Sequence, residues 1–362
     1  MTSLLRRLFG ESESTEAATT SLKSPVRITD TSSANDGSSQ TAAPNQSVAT
    51  YTPNSDSHPT ETTDAPAIQF QEQLNKRFTA GLRQVEAELV SNDPITADLK
   101  LLLQTLREQK IEQIRQLPLA AQRALSLLHA EASTSALVTQ FEKDPVICQA
   151  LLKQVNSAYY NPNGARVVSL SDAINRMGRA GVQSVVMEQT LAGMVSRPGG
   201  QFDAMVQQVW DHMVRVAPLA RHLAPAFGAN ADQAFLLGLL HDVGKLAVFD
   251  RVTDLRTSKR RTMVIDKDAM GRALSILHEP LGGLIVEQWQ LDADVARAVA
   301  THHRDPRPVR RDVLSEVVFV AERVDLASQR KQFVDLPAMW DEAGLTASMD
   351  AVTDAVSRYT AS

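Results

Sequence analysis

Gly238-Leu239-Leu240-His241-Asp242-Val243-Gly244-Lys245 is the stretch on which the reading of this chain turns. An apolar run that closes on His, Asp and then Gly reads as a buried helix ending in two polar groups. That is an unusual place for them, because a buried polar group is costly unless it is paired. Imidazole nitrogen and carboxylate oxygen are donors that divalent Mn, Fe or Zn accept, and Mg prefers the oxygens. The plain alternative is that the pair hydrogen-bonds internally and to helix ends, with no metal.

Working outward, six of the eight histidines fall between His212 and His303. His212, in Trp210-Asp211-His212, is placed at the opening of a helix running through Val216 and Leu219 towards Leu223. His278 lies in Leu277-His278-Glu279-Pro280-Leu281-Gly282. His302-His303 close a helix that begins near Asp292-Ala293-Asp294 and is stopped by Asp305-Pro306. His222 and His129 read as ordinary helix histidines, and His58 sits in a linker. Histidines from several helices would complete a shell begun by His241 and Asp242. One or two metal ions held there would polarise a phosphoryl oxygen and acidify water, and Lys245 would offset charge on a phosphate.

The surrounding sequence is helical. Phe70, Leu74, Phe78, Leu82, Val85 and Leu89 recur at steps of four and three, which places them on one helix face. Asn92-Asp93-Pro94 breaks that helix, Pro94 opens the next, and Ile95, Leu99, Leu102, Leu103 and Leu106 continue the stripe to Lys110. The pair is expected to form a hairpin or a helical extension. Asp144-Pro145 is a helix entry, Tyr159 to Arg166 a loop, and Ser169-Leu170-Ser171-Asp172 a capping box whose helix stops at Gly178. Arg197-Pro198-Gly199-Gly200 separates two helical lobes. Leu336-Pro337 opens a tail, with Met339, Trp340, Leu345, Met349, Val352 and Val356, expected to pack back on the second lobe.

Composition narrows the classes. Of 362 residues, 43% are apolar and 22% charged, as in ordinary globular protein. No run approaches the ~18 apolar residues of a membrane span, and the start, MTSLLRRLFG, does not read as a secretory signal. The expected setting is the cytoplasm. The single cysteine, Cys148, excludes an intramolecular disulfide framework and reads as core filling. From Glu11 to Pro66 the chain is Ser-, Thr- and Pro-rich, with four basic against eight acidic residues in the first 66; it reads as a disordered linker. Residues 1–10 read as an unstructured terminus, with docking of an amphipathic peptide as the alternative. Basic residues cluster at Arg256, Lys259, Arg260 and Arg261, and again at Arg304, Arg307, Arg310 and Arg311. They would suit a phosphorylated ligand or an acidic partner, or be solvated loop charge. No aromatic residues interleave with them, so dedicated nucleic-acid binding is not expected.

A series of short motifs carries a resemblance: Leu117-Pro118, Asp144-Pro145, Leu151-Leu152, Asn156-Ser157-Ala158, Asp172-Ala173-Ile174, Met177-Gly178, Trp210-Asp211-His212, and Gly238 through Asp242. In this order they resemble the HDOD domain, a bacterial signalling module related to HD-type metal-dependent phosphohydrolases. His278, Gly282, Trp289 and His302-His303 also fit. The resemblance implies an all-α fold: residues 111–330 as the domain, with lobes at 111–197 and 201–330. It is preceded by a helical extension at 67–110, the linker and the terminal peptide, and followed by a helical tail at 331–362.

The same resemblance puts His212, His241, Asp242, His278, His302 and His303 at ligand positions of related phosphodiesterases. Where an Ala-Asp-x-hydrophobic helix should supply the last acidic ligand, Ala321-Glu322-Arg323-Val324 offers Glu322, with Asp325 three residues on. Arg304-Asp305-Pro306-Arg307-Pro308 lacks the Gly-Tyr-Pro signature of the HD-GYP enzymes, which disfavours that activity. The leading expectation is a non-catalytic signalling module acting through a protein partner or a small ligand. A metal-dependent phosphohydrolase acting on a nucleotide or cyclic nucleotide is the alternative, and a purely structural helical scaffold a third reading.

Overall fold

Helical periodicity carries through the whole described chain. A computed structural model describes residues 65–91, 93, 96–108, 115–195, 202–303, 312–332 and 334–360. The chain divides into two units, Met1–Ala65 and Pro66–Ser362, and the helical fold is that of the second. No strand occurs among the described residues. The helices are α1 (Ala65–Leu89), α2 (Ala97–Glu108), α3 (Leu119–His129), α4 (Thr134–Phe141), α5 (Pro145–Val155), α6 (Leu170–Met194) and α7 (Asp203–Leu223). After them come α8 (Ala231–Leu240), α9 (Val243–Lys259), α10 (Lys267–Gln288), α11 (Ala293–Val299), α12 (Val313–Gln329), α13 (Leu336–Ala343) and α14 (Met349–Thr360).

Local chemistry sets several of these boundaries. The Asp144 carboxylate accepts from the amides of Val146 and Ile147, and Pro145, which has no amide hydrogen to satisfy, starts α5. Ser169 Oγ accepts from the Asp172 amide at the start of α6. Asn230 covers the amides of Asp232 and Gln233 at the start of α8. Gly178 takes φ +67° and ψ 175°, which breaks the axis of α6 as expected, and a second helical segment then runs on to Met194. Such a positive φ strains any residue with a Cβ.

Helix α8 packs against α6, α7, α11 and α12. Every residue from Ala234 to Leu240 is buried, as an element without a polar face requires. A Cβ on Gly238 would lie 2.8 Å from Ala217 Cα, so α7 and α8 cross backbone against backbone. Helix α6 packs against α3, α4 and α5 and also reaches α8. Arg221 of α7, 5% exposed, pairs with Asp232 of α8 at 3.0 Å and lies over the Phe235 ring at 3.9 Å. Tyr160 Oη donates to the same carboxylate at 2.6 Å.

Side-chain contacts tie the N-terminal pair, α1 and α2, to each other and to α10. Arg107 of α2 pairs with Glu86 of α1 at 2.7 Å. Gly81 of α1 faces Ile276 and Leu277 of α10, and Arg272 pairs with Glu88 at 2.9 Å. Asp98 at the start of α2 binds the Arg261 guanidinium and the Val264 amide. At the other end α14 packs on α7, where His222 Nε2 meets Ala355 O at 3.0 Å.

Two sequence readings need correction. Trp210-Asp211-His212 does not open a helix: α7 begins at Asp203, so His212 sits at mid-helix. His302-His303 lie in the turn beyond α11 rather than within its last residues. Apolar residues at Met205, Val206 and Val209 extend the stripe backwards, and they outweigh the local look of an Asp near a helix start. Cys148 is half-buried and its thiol donates to Phe141 O, with burial raising its pKa. The readings placed on residues 1–64, Pro94, Ile95, Arg197-Pro198-Gly199-Gly200, Arg304, Asp305-Pro306, Arg307, Arg310 and Arg311 lie outside the described residues. No helix is long and apolar enough to cross a membrane among the residues described.

Candidate metal centre

His241 and Asp242 occupy the junction of α8 and α9, so the change of helix direction presents both side chains to one space. An Asp preceding a helix usually caps it. Asp242 does not, because its Oδ2 accepts from Lys245 Nζ at 2.7 Å while Oδ1 faces the space. Gly244 lets this happen: a Cβ there would lie 2.1 Å from His278 O, so α9 rests directly on α10 beside His278.

Four of the five grouped imidazoles are oriented by the ring nitrogen that faces away from the space. His241 Nδ1 pairs with Gly238 O, His278 Nδ1 with Leu274 O and His302 Nδ1 with Val299 O, each at 2.8 Å. A carbonyl only accepts, so each Nδ1 carries the hydrogen and each Nε2 is turned inward. His212 is oriented instead by Asp325, which meets its Nδ1 at 2.8 Å and is itself held by Arg215 at 2.7 Å. Sequence had offered Glu322 or Asp325 as the last acidic group. Glu322 is the one in the space, with Oε1 3.3 Å from His241 Nε2, 3.7 Å from His212 Nε2 and 3.8 Å from His303 Nε2.

The structure thus brings together His212, His241, Asp242, His278, His302, His303 and Glu322, with Lys245 at their edge. One donor atom from each of Asp242, His278, His302 and His303 lies within 4.8 Å of the others, and so do atoms of His212, His241 and Asp242. Asp242 belongs to both sets. Inside the space His241 Nε2, Asp242 Oδ1, His278 Nε2 and His302 Nε2 are buried with no hydrogen-bond partner. Orphaned polar atoms at this density are abnormal for protein interior, and each is a metal-donor atom. The residues fit a divalent metal.

The electrostatics agree with that fit. Burial disfavours a charged His241, yet the Asp242 and Glu322 carboxylates outweigh it and lift its pKa to about 10. Burial opposes ionisation of Asp242 too, but the Lys245 and His241 charges hold its carboxyl well below the usual range. Glu322 is held well below its range by His303 and His241 against the same burial. Burial keeps His278 and His302 neutral, which is the form that ligates. Without a metal, a proton on His241 balances the carboxylates; a cation would take its place.

Besides Arg215, which holds Asp325, two groups at the site have no counterpart in the sequence reading. Glu279 Oε1 accepts from the His303 amide at 2.7 Å, and Arg77 Nη1 donates to Ala300 O at 2.7 Å. A carboxylate beside His278 was visible in the sequence as a hint of the first. Nothing in the sequence signalled the second, which comes from 223 residues away. Of the basic cluster, Arg261 is committed to Asp98.

The chain belongs to the HDOD domain family, whose profile matches residues 114–305. A protein of Mycoplasma genitalium, named provisionally a nicotinate-nucleotide adenylyltransferase/Ap4A hydrolase, is 25% identical over 126 residues, which is 34% of each chain. Ribonuclease Y of Thermotoga maritima is 27% identical over 124 residues, 34% of this chain and 19% of that one. These alignments therefore span about a third or less of the curated relatives. The crystal structure of a Shewanella amazonensis SB2B protein, named provisionally a metal-dependent phosphohydrolase, superposes with a TM-score of 0.51 at 17% identity. That superposition covers 72% of this chain and 99% of the other, and establishes likeness of fold.

Proposed function

We propose that the chain is a divalent-metal phosphohydrolase acting on a phosphate ester of a nucleotide or cyclic nucleotide. The observation that carries the reading is the set of four buried, unpartnered donor atoms facing one space, on His241, Asp242, His278 and His302. In this reading His278, His302, His303 and Asp242 hold one ion, and His212, His241 and Asp242 a second, with Glu322 beside them. Such an ion supplies Lewis acidity towards a phosphoryl oxygen and lowers the pKa of water. The main-chain carbonyls fix the imidazole tautomers, and Lys245 holds one oxygen of Asp242 so that the other stays turned inward. His303, with 40% of its side chain exposed, is the ligand nearest solvent, and in this reading a substrate phosphate would approach the ions beside it. The names of the Mycoplasma and Thermotoga relatives, a hydrolase of Ap4A and a ribonuclease, support cleavage at phosphorus in a nucleotide.

A second reading keeps the metal and drops the catalysis: a signalling module whose centre stabilises a surface for a protein partner. The specific support is access, since apart from His303 no side chain of the centre exceeds 13% exposure. Metal analysis of protein purified without chelator, with a nucleotide hydrolysis screen against His241→Ala and Asp242→Ala, separates the readings. Bound metal with hydrolysis lost in both variants supports the enzyme. Bound metal with no hydrolysis of any nucleotide leaves the module, and absence of metal overturns both.

A further inference from the structure

The centre does not end at the residues matched to the family. Helix α1 lies before residue 114, yet it runs along α10 and reaches the turn that carries His302 and His303. Gly283 of α10 marks the meeting point: a Cβ there would fall 2.7 Å from Ala300 Cβ and 3.1 Å from Leu74 Cδ1. Only a glycine allows α1, α10 and the end of α11 to come so close.

At that point two charged side chains, in contact with each other, hold the turn. Arg77 of α1 donates to Ala300 O at 2.7 Å, a carbonyl just past the last residue of α11. A cation at a helix C-terminus satisfies free carbonyls and complements the helix dipole. Glu279, one residue after His278, accepts from the His303 amide at 2.7 Å. The grip is closed by Arg77 Nη2, which lies 3.4 Å from Glu279 Oε2. Glu279 Oε1 is also 3.8 Å from His302 Nδ1. The consequence is geometric. His302 has a carbonyl of its own to fix its ring, but His303 is exposed and sits in a turn, where a side chain and its backbone are least constrained.

We propose that Arg77 and Glu279 are positioning residues of the metal centre, holding the His302-His303 turn so that His303 faces Asp242 and Glu322; this rests on the metal-centre reading above. The N-terminal helical extension is then a working part of the site. Whatever displaces α1, a bound partner included, changes metal affinity through this one turn.

The test uses the full 362-residue chain and manganese(II) as the probe, with affinity measured by competition against a chelator. Removing a partner that orients a metal ligand typically weakens metal binding about 10–100-fold. Arg77→Met keeps the aliphatic stem and removes both donors, and Glu279→Leu removes the acceptor of the His303 amide. Both are expected to bind manganese about 10–100-fold more weakly, with helical circular dichroism unchanged. Arg77→Lys, which can still reach one carbonyl, should recover part of the loss. A merely structural role would lower Tm and leave manganese affinity alone, and that result overturns the inference. Should Glu279→Leu fold poorly, the half-exposed Arg77 still carries the test. Equal binding by the unaltered chain and the Arg77 variants defeats this inference by itself, whereas no binding by the unaltered chain defeats the site reading and this inference with it.

Discussion

A Cβ placed on Gly244 would fall 2.1 Å from the main-chain oxygen of His278. This contact joins the two halves of the centre, because α9 begins just after Asp242 and carries Lys245 in its first turn, while α10 carries His278. The close approach lets a carboxylate on one helix face an imidazole on the next, His278 Nε2 lying 3.7 Å from Asp242 Oδ1. Backbone against backbone has no side chain to yield. Gly244→Ala is therefore expected to cost about 1–3 kcal/mol by overpacking and to push the two ligands apart. A thermal melt and a manganese titration of the variant check both effects.

Metal should stabilise the fold by mass action. An ion that binds the native state and not the unfolded chain adds about 2.7 kcal/mol at a hundred times its Kd. Tm is expected to rise with manganese and fall on adding chelator, and the Asp242→Ala variant, which lacks the ligand common to both groups, should show neither response. A Tm indifferent to both additions in the unaltered chain would count against the centre.

Asp242 is coupled to Lys245 as well as to the metal. Lys245 is 7% exposed and its ammonium lies 2.7 Å from the carboxylate. Asp242→Ala strands that ammonium, and removing one partner of a buried pair costs about 3–5 kcal/mol. The double variant Asp242→Ala, Lys245→Met should regain much of that stability without regaining metal. Urea denaturation of the two proteins reads the difference.

The acid limb of stability should report on Asp98. The Arg261 guanidinium beside it holds its carboxyl below the usual range, and the Val264 amide adds to that effect against burial. A carboxyl depressed in the folded state contributes stability above its unfolded pKa, about 3.9. That contribution is lost as pH falls through the folded value. Asp98→Asn is expected to be less stable than the unaltered chain at pH 6 and to lose less on acidification. Tm measured from pH 6 down to pH 3 shows whether the two curves converge.

Periodicity made the helices legible because burial has to repeat every 3.6 residues. The stripe from Leu74 to Val85, the Asp144-Pro145 entry and the break at Gly178 are local matters of spacing, capping and backbone freedom, and the structure bears each out. The start of α7 departs from its local cue for a related reason: Trp210-Asp211-His212 has the look of a helix opening, but a local cue cannot outrank the burial of Met205 and Val206 further back. His241 and Asp242 stood out because two polar groups at the end of a wholly apolar helix demand a partner.

By itself, then, the sequence determined that the chain is helical, where helices such as α5, α6 and α11 begin, and which histidines and carboxylates were candidates for one centre. Tertiary structure alone decided that Glu322 and not Asp325 enters that centre, that Asp325 turns to His212 Nδ1, and that Arg77 arrives at Ala300. The reason is physical. Capping and periodicity act within a few residues of chain, but which oxygen meets which nitrogen depends on how helices cross, and those crossings are set by glycines such as Gly238, Gly244 and Gly283, whose partners lie far away in sequence.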